Sequence, residues 1–377
     1  MTEKARLQFV DMFRGFSVLV MIQGHVSNST IFASIRRTSG FHYLDLLNGM
    51  IAASFIFASG FAFALVIDRK LEDFLHWHKS LWQYVGRLLF VLGLGYWLHL
   101  PFWSLQKTLH LNEAQALRAF GADVLQCIAL SLFFCLFVTF LLRNRKRIAI
   151  FLLLVGIGIV LWTPFLYDTD PQTYTSQILG TYITAHHNPL FPLFSWSAFL
   201  FLGEFLGWVY LEARKQNRER KLFTFLLITG AIMLIGGFAL FYVPWQYHTY
   251  ADPAKSSPRQ FMLKLGWVWL LLSALWFYEQ RFHPKKSWLA IVGQESLFVY
   301  GLHLLIVYGN VFVPFSFASK IGPNLTYGPS LLLSLITISL MVLAALGWHW
   351  LKTQKPQVAK AIFYGVFAIW LIGFLIR

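Results

Sequence analysis

Apolar runs of membrane length alternate along this chain with short polar segments. Stretches of about twenty apolar residues, the length that crosses a hydrocarbon core, occupy residues 8–26, 46–66, 83–103, 121–142, 148–166, 190–211, 222–243, 261–279, 289–313, 329–351 and 358–376. The pattern predicts an all-α, polytopic membrane helix bundle of about eleven transmembrane helices, forming a single transmembrane domain over residues 1–377. The longest polar loops, around 104–120, 166–189 and 244–260, are too short to build a core of their own.

Composition agrees with this pattern. The 377 residues are 57% hydrophobic and 12% charged, with a mean hydropathy of +0.59, which excludes an ordinary soluble domain. In a soluble protein the net charge of +15 would suggest nucleic acid. Here the cations gather in alternate loops, such as Arg143, Arg145, Lys146 and Arg147 or Arg214, Lys215, Arg218, Arg220 and Lys221, while 166–189 has none. The charge is therefore topological, with no nucleic-acid partner, and places the amino terminus in the cytoplasm and the carboxyl terminus outside. Asp11 and Arg14 interrupt the first run and no small-x-small site follows promptly, so it is expected to stay as the first span rather than be cleaved as a signal. Cys127 and Cys135 lie on one apolar run about 12 Å apart along a helix, too far for a disulfide.

The first run also carries the chemistry. It holds Asp11 and Arg14 near one end and His25 at the other, and an ionisable residue within a span usually faces a protein interior or a water-filled path. Arg14 and His25, eleven residues apart, are separated by roughly 16 Å on a helix. Either alone could be an interfacial anchor; together they suggest two events at different depths. In the predicted orientation His25, Asp45 and Asp123 reach the outer side, and Arg14 and Arg87 lie towards the cytoplasm. Such a polarised arrangement suits proton transfer at one face and anion binding at the other.

Other patterns carry less. Phe55-Ile56-Phe57-Ala58-Ser59-Gly60-Phe61 brings small residues into an aromatic helix, which favours close helix packing over chemistry. Trp82, Trp162, Trp245 and Trp288 mark interfacial belts. His76-Trp77-His78 and His186-His187 lack a third ligand at metal spacing, so no metal is expected. Glu204 and Glu295 are helix-end charges or cavity groups. His303 falls near mid-membrane, where the alternatives are a site and a structural hydrogen bond.

Several of these segments together resemble a known family. Arg6-Leu7, Val10-Asp11 and Arg14-Gly15 followed by His25 resemble the opening helix of the transmembrane acyltransferase superfamily, which includes bacterial membrane sugar O-acyltransferases and the heparan-α-glucosaminide N-acetyltransferase group. Arg14 and His25 have the arginine, ten residues, histidine spacing of the bacterial branch. Phe55 to Phe61, Arg87-Leu88-Leu89 with Leu92 to Tyr96, Asp123 to Ile128, and Gly293 to His303 are similar to later helices of that superfamily, in the same order. Cys127 stands where the pattern usually has Arg, and Glu295 where it usually has Asn. In the heparan group the key histidine follows the first helix, which makes His42 the reserve candidate.

The resemblance implies transfer of an acyl group, commonly acetyl, from cytoplasmic acyl-CoA to a sugar or glycolipid acceptor at the opposite face. It also implies a place in the cell envelope, at a bacterial inner membrane. His25 is then the candidate base, with Asp45 or Asp123 orienting its ring; Arg14, Arg87, Asp11 and His303 are the candidate donor-binding residues. Direct transfer and an acyl-histidine intermediate both remain open. The alternatives from the residues alone are a proton- or anion-coupled transporter and a non-catalytic envelope scaffold.

Overall fold

A computed structural model describes residues 7–169, 175–184, 190–240, 257–284, 287–311 and 313–376. The expectations for Arg6, His186, His187 and Trp245 lie outside the described residues. The long helices in chain order are α1 (Gln8–Thr30), α2 (Ser39–Leu75), α3 (Lys79–His99), α4 (Val124–Leu142), α5 (Arg145–Tyr167), α6 (Leu193–Lys215) and α7 (Glu219–Ala239). They continue with α8 (Pro258–Phe282), α9 (Trp288–Gln294), α10 (Ser296–Val307), α11 (Tyr327–Gln354) and α12 (Pro356–Ile376). Among the described residues the only β pairing is an isolated bridge between Ile31 and Leu325.

Eight of these helices, α2, α4 to α8, α11 and α12, are long and apolar enough to cross a membrane, and α9 with α10 makes a ninth if that bent pair counts as one span. The expected eleven are thus not reached by length and apolarity alone. α1 and α3 are full-length helices of 23 and 21 residues that miss on apolarity. α1 spends positions on Gln8, Asp11, Arg14, Gln23 and His25 and can do so because it faces protein: most of it is buried, packed against α9, α10 and α11. The run expected over 289–313 is not one straight helix either, since α9 and α10 meet at 80°.

Two compact units divide the chain. The first takes residues 1–51, 98–119 and 278–377. Its centre is α1, whose start is capped from outside: the Phe9 N–H donates to Glu279 Oε2 at 2.8 Å. At the other end of α1, the Leu325 N–H donates to the Thr30 carbonyl (2.8 Å) and the Phe32 N–H to the Leu325 carbonyl (3.0 Å). Gly15 and Gly293 let α1 and α9 touch backbone to backbone. A Cβ on Gly15 would fall on the carbonyl oxygen of Leu289, and one on Gly293 on that of Asp11. α12, by contrast, buries only Ala359 and presents its apolar surface outward, as a lipid-facing helix must.

The second unit takes residues 52–97 and 120–277. Its helices α2 and α6 also meet through glycines: a Cβ on Gly60 would fall on the Leu200 carbonyl, and one on Gly203 on that of Phe57. The small residues of the Phe55 to Phe61 stretch therefore serve packing, as expected. Cys127 and Cys135 are buried free thiols, and Trp82, Trp162 and Trp288 are exposed.

Candidate active site

The break between α9 and α10 is held by three consecutive polar residues, and each finds its partner on another helix. Gln294 donates its Nε2–H to Asp11 Oδ2 (3.2 Å) and Ser296 Oγ accepts from Arg14 Nη2 (2.8 Å), so one turn of α1 grips both sides of the bend. Between them Glu295, only 4% exposed, accepts from Lys352 Nζ at 2.8 and 2.9 Å and meets His349 Nδ1 at 3.0 Å. Both partners stand on α11, one turn apart. A buried carboxylate needs such pairing, and it explains how this chain accommodates Glu295 where the superfamily pattern usually has Asn. Nothing in the sequence linked Glu295 to Lys352 and His349, 57 and 54 residues away.

Towards the other end of α1, three ring side chains come together. The His25 ring lies 5.3 Å from that of His303 and 5.5 Å, edge to face, from that of Tyr308. His25 Nδ1 is 3.1 Å from the Tyr308 hydroxyl, which also reaches the His25 carbonyl oxygen at 3.4 Å. A phenol has a single proton. With that proton on the carbonyl, His25 Nδ1–H donates to the phenol oxygen and Nε2 keeps its lone pair, the tautomer that a general base requires.

His303 is completely buried. Its Nδ1 faces the Val299 carbonyl at 2.9 Å, and because a carbonyl can only accept, Nδ1 carries the proton. That leaves Nε2 as an acceptor, and it has no hydrogen-bond partner. His303 was expected on the donor side with Arg14; the structure brings it beside His25 instead.

The remaining expected residues separate. Asp45 and His42, on the first turns of α2, are exposed. Asp123 caps its own helix, its Oδ1 accepting from the Val124 N–H at 2.7 Å. Arg87 is exposed on α3. The group found at His25 Nδ1 is Tyr308, which the sequence reading missed. A search for partner carboxylates passes over a tyrosine five residues beyond His303. Among the described residues no cluster of three or more His, Cys, Asp or Glu could hold a metal ion.

Fold and site together define a polytopic integral membrane protein that encloses an imidazole cluster and a separate ion-paired cluster within one unit. The chain belongs to the family of heparan-alpha-glucosaminide N-acetyltransferase catalytic domains, whose model matches residues 6–248. It is therefore a membrane acyltransferase that uses acetyl-CoA, rather than a transporter or scaffold. The match includes Arg14 and His25; His303, Tyr308 and the Glu295 cluster lie beyond it. No curated protein matches the chain.

Proposed function

We propose that residues 1–377 act as one domain that moves an acetyl group from cytoplasmic acetyl-CoA to an amine or hydroxyl of a sugar or glycolipid acceptor at the outer face. The amino terminus is then cytoplasmic, with α1 and α3 also crossing a bacterial inner membrane. The observation that carries this reading is the His25–Tyr308 pair, 3.1 Å apart, in a chain of an acetyltransferase family. A thioester is already activated. The protein needs a base for the acceptor and a passage that orients the donor.

His25 Nε2 takes the proton of the attacking amine or hydroxyl, and Tyr308 holds the imidazole in the tautomer that can do so. Transfer is direct, with no acyl-histidine. On the donor side Arg14 is assigned to the CoA phosphates, with Asp11 and Gln294 fixing the turn that carries it. Arg87, Asp45, His42 and Asp123, which the family resemblance also implies, stand as reserve candidates. The test is His25→Ala in the purified, inserted protein. Transfer of labelled acetyl from acetyl-CoA should fall by about 10²- to 10⁴-fold while stabilisation by CoA persists, and transfer at the parent rate would overturn the assignment.

A further inference from the structure

An acyltransferase that relies on a single base still needs something to meet the negative charge that grows on the thioester oxygen. In such reactions a preorganised donor aimed at that oxygen is a large part of catalysis. One side chain packed on the residue before His25 is a donor with nothing to donate to. Asn48, on α2 within the first unit, lies flat against α1 at Gly24, the residue before His25. A Cβ on Gly24 would stand 2.7 Å from Asn48 Cγ and Oδ1 and 2.9 Å from Nδ2. Only glycine admits the carboxamide there. Both Nδ2 and Oδ1 are shielded from solvent, and neither has a hydrogen-bond partner.

A buried carboxamide with no partner is costly, and natural structures keep few of them without a functional reason. A second unmet group is His303 Nε2, also buried and unpartnered, on the ring next to His25. An unused acceptor thus lies on the ring beside His25, and an unused donor lies against the helix residue before it.

We propose that Asn48 Nδ2–H donates to the oxyanion formed at the thioester carbonyl during acetyl transfer. The assignment rests on the reading of His25 as base. The acceptor lone pair attacks the acetyl carbon, the carbonyl π pair moves onto oxygen, and the acceptor proton passes to His25 Nε2. Asn48 stabilises the resulting oxyanion. The carbonyl then re-forms, the carbon–sulfur bond breaks, and the departing thiolate takes the proton from the imidazolium to leave as CoA thiol. His303 Nε2 accepts a further hydrogen bond from the acceptor.

The experiment uses the full chain in detergent, with acetyl-CoA as donor and either glucosamine or water as acceptor, and reads CoA thiol release. Both acceptors pass through the same oxyanion, so the assay does not depend on the natural one. Asn48→Ala should lower kcat roughly 10²- to 10³-fold, the loss seen when one oxyanion donor is removed. KM for acetyl-CoA and the melting temperature should barely move. Asn48→Asp, of equal size but with no N–H, should lose as much, and it keeps the test valid if the alanine variant folds poorly. A kcat within about threefold of the parent in either variant overturns the proposal, as does a loss that appears in KM or melting temperature instead. His25→Ala separates the two readings. If it is inactive while Asn48→Ala is normal, only the role of Asn48 falls; if it keeps full activity, the base assignment falls as well.

Discussion

At its Asp11 end, α1 is tied to its neighbours by side chains: Gln294 for Asp11, Ser296 for Arg14, and for the neighbouring Glu295 both His349 and Lys352. At its His25 end the groups are equally polar, yet a buried histidine nitrogen and a whole buried carboxamide have no partner. The difference separates structure from chemistry. In a low-dielectric interior a satisfied network fixes geometry, and an unmet buried group is costly unless a polar partner reaches it. The first cluster holds the bend between α9 and α10 and the turn that carries Arg14; the second is where reacting atoms belong.

This comparison can be broken in steps of decreasing size. His25→Ala, at the unsatisfied end, should cost about 10²- to 10⁴-fold in kcat, the usual worth of a general base, with an unchanged melting temperature. Gly293→Ala should instead act on the fold, because its new methyl would have to displace the Asp11 carbonyl. A loss of about 3 kcal/mol is expected, at the upper end for overpacking, and chemical denaturation of the detergent-solubilised protein would read it.

Lys352→Ala tests the satisfied end directly. It leaves Glu295 buried with His349 alone and should destabilise by about 2 kcal/mol, less than for a fully enclosed pair because Lys352 is half exposed. The rate per folded molecule should hold; a large fall in kcat with normal stability would assign Glu295 and Lys352 to the reaction instead. The smallest effect is expected for Tyr308→Phe. Losing one neutral hydrogen bond to His25 is worth about 1 kcal/mol, or roughly five- to tenfold in kcat. Were its loss to match that of His25→Ala, Tyr308 would be a proton carrier rather than an orienting group.

Apolar runs with basic loops made the helical membrane class legible, because the bilayer demands about twenty apolar residues and fully paired backbone whatever the tertiary arrangement. The same rule describes α1 and the run at 289–313 less well, although α1 is a full-length helix where one was expected. The former is surrounded by protein and need not be apolar, and the latter bends where Glu295 is drawn to α11. Arg14, His25 and His303 stood out because an ionisable residue in an apolar run is conspicuous on its own. Tyr308 and Asn48 did not, since tyrosine and asparagine are ordinary in such helices, and what marks them is tertiary: His25, 283 residues away, for Tyr308, and packing against Gly24 for Asn48.

The order of residues was enough to decide solvent, element type and the residue types available for acyl transfer, all of which depend on local composition and period. Which groups would be satisfied and which left waiting was decided only when α1 came to lie against α9, α10, α11 and the start of α2. Hydrogen-bond partnership is a matter of a few tenths of an ångström between chain-distant atoms, and linear spacing carries no record of it.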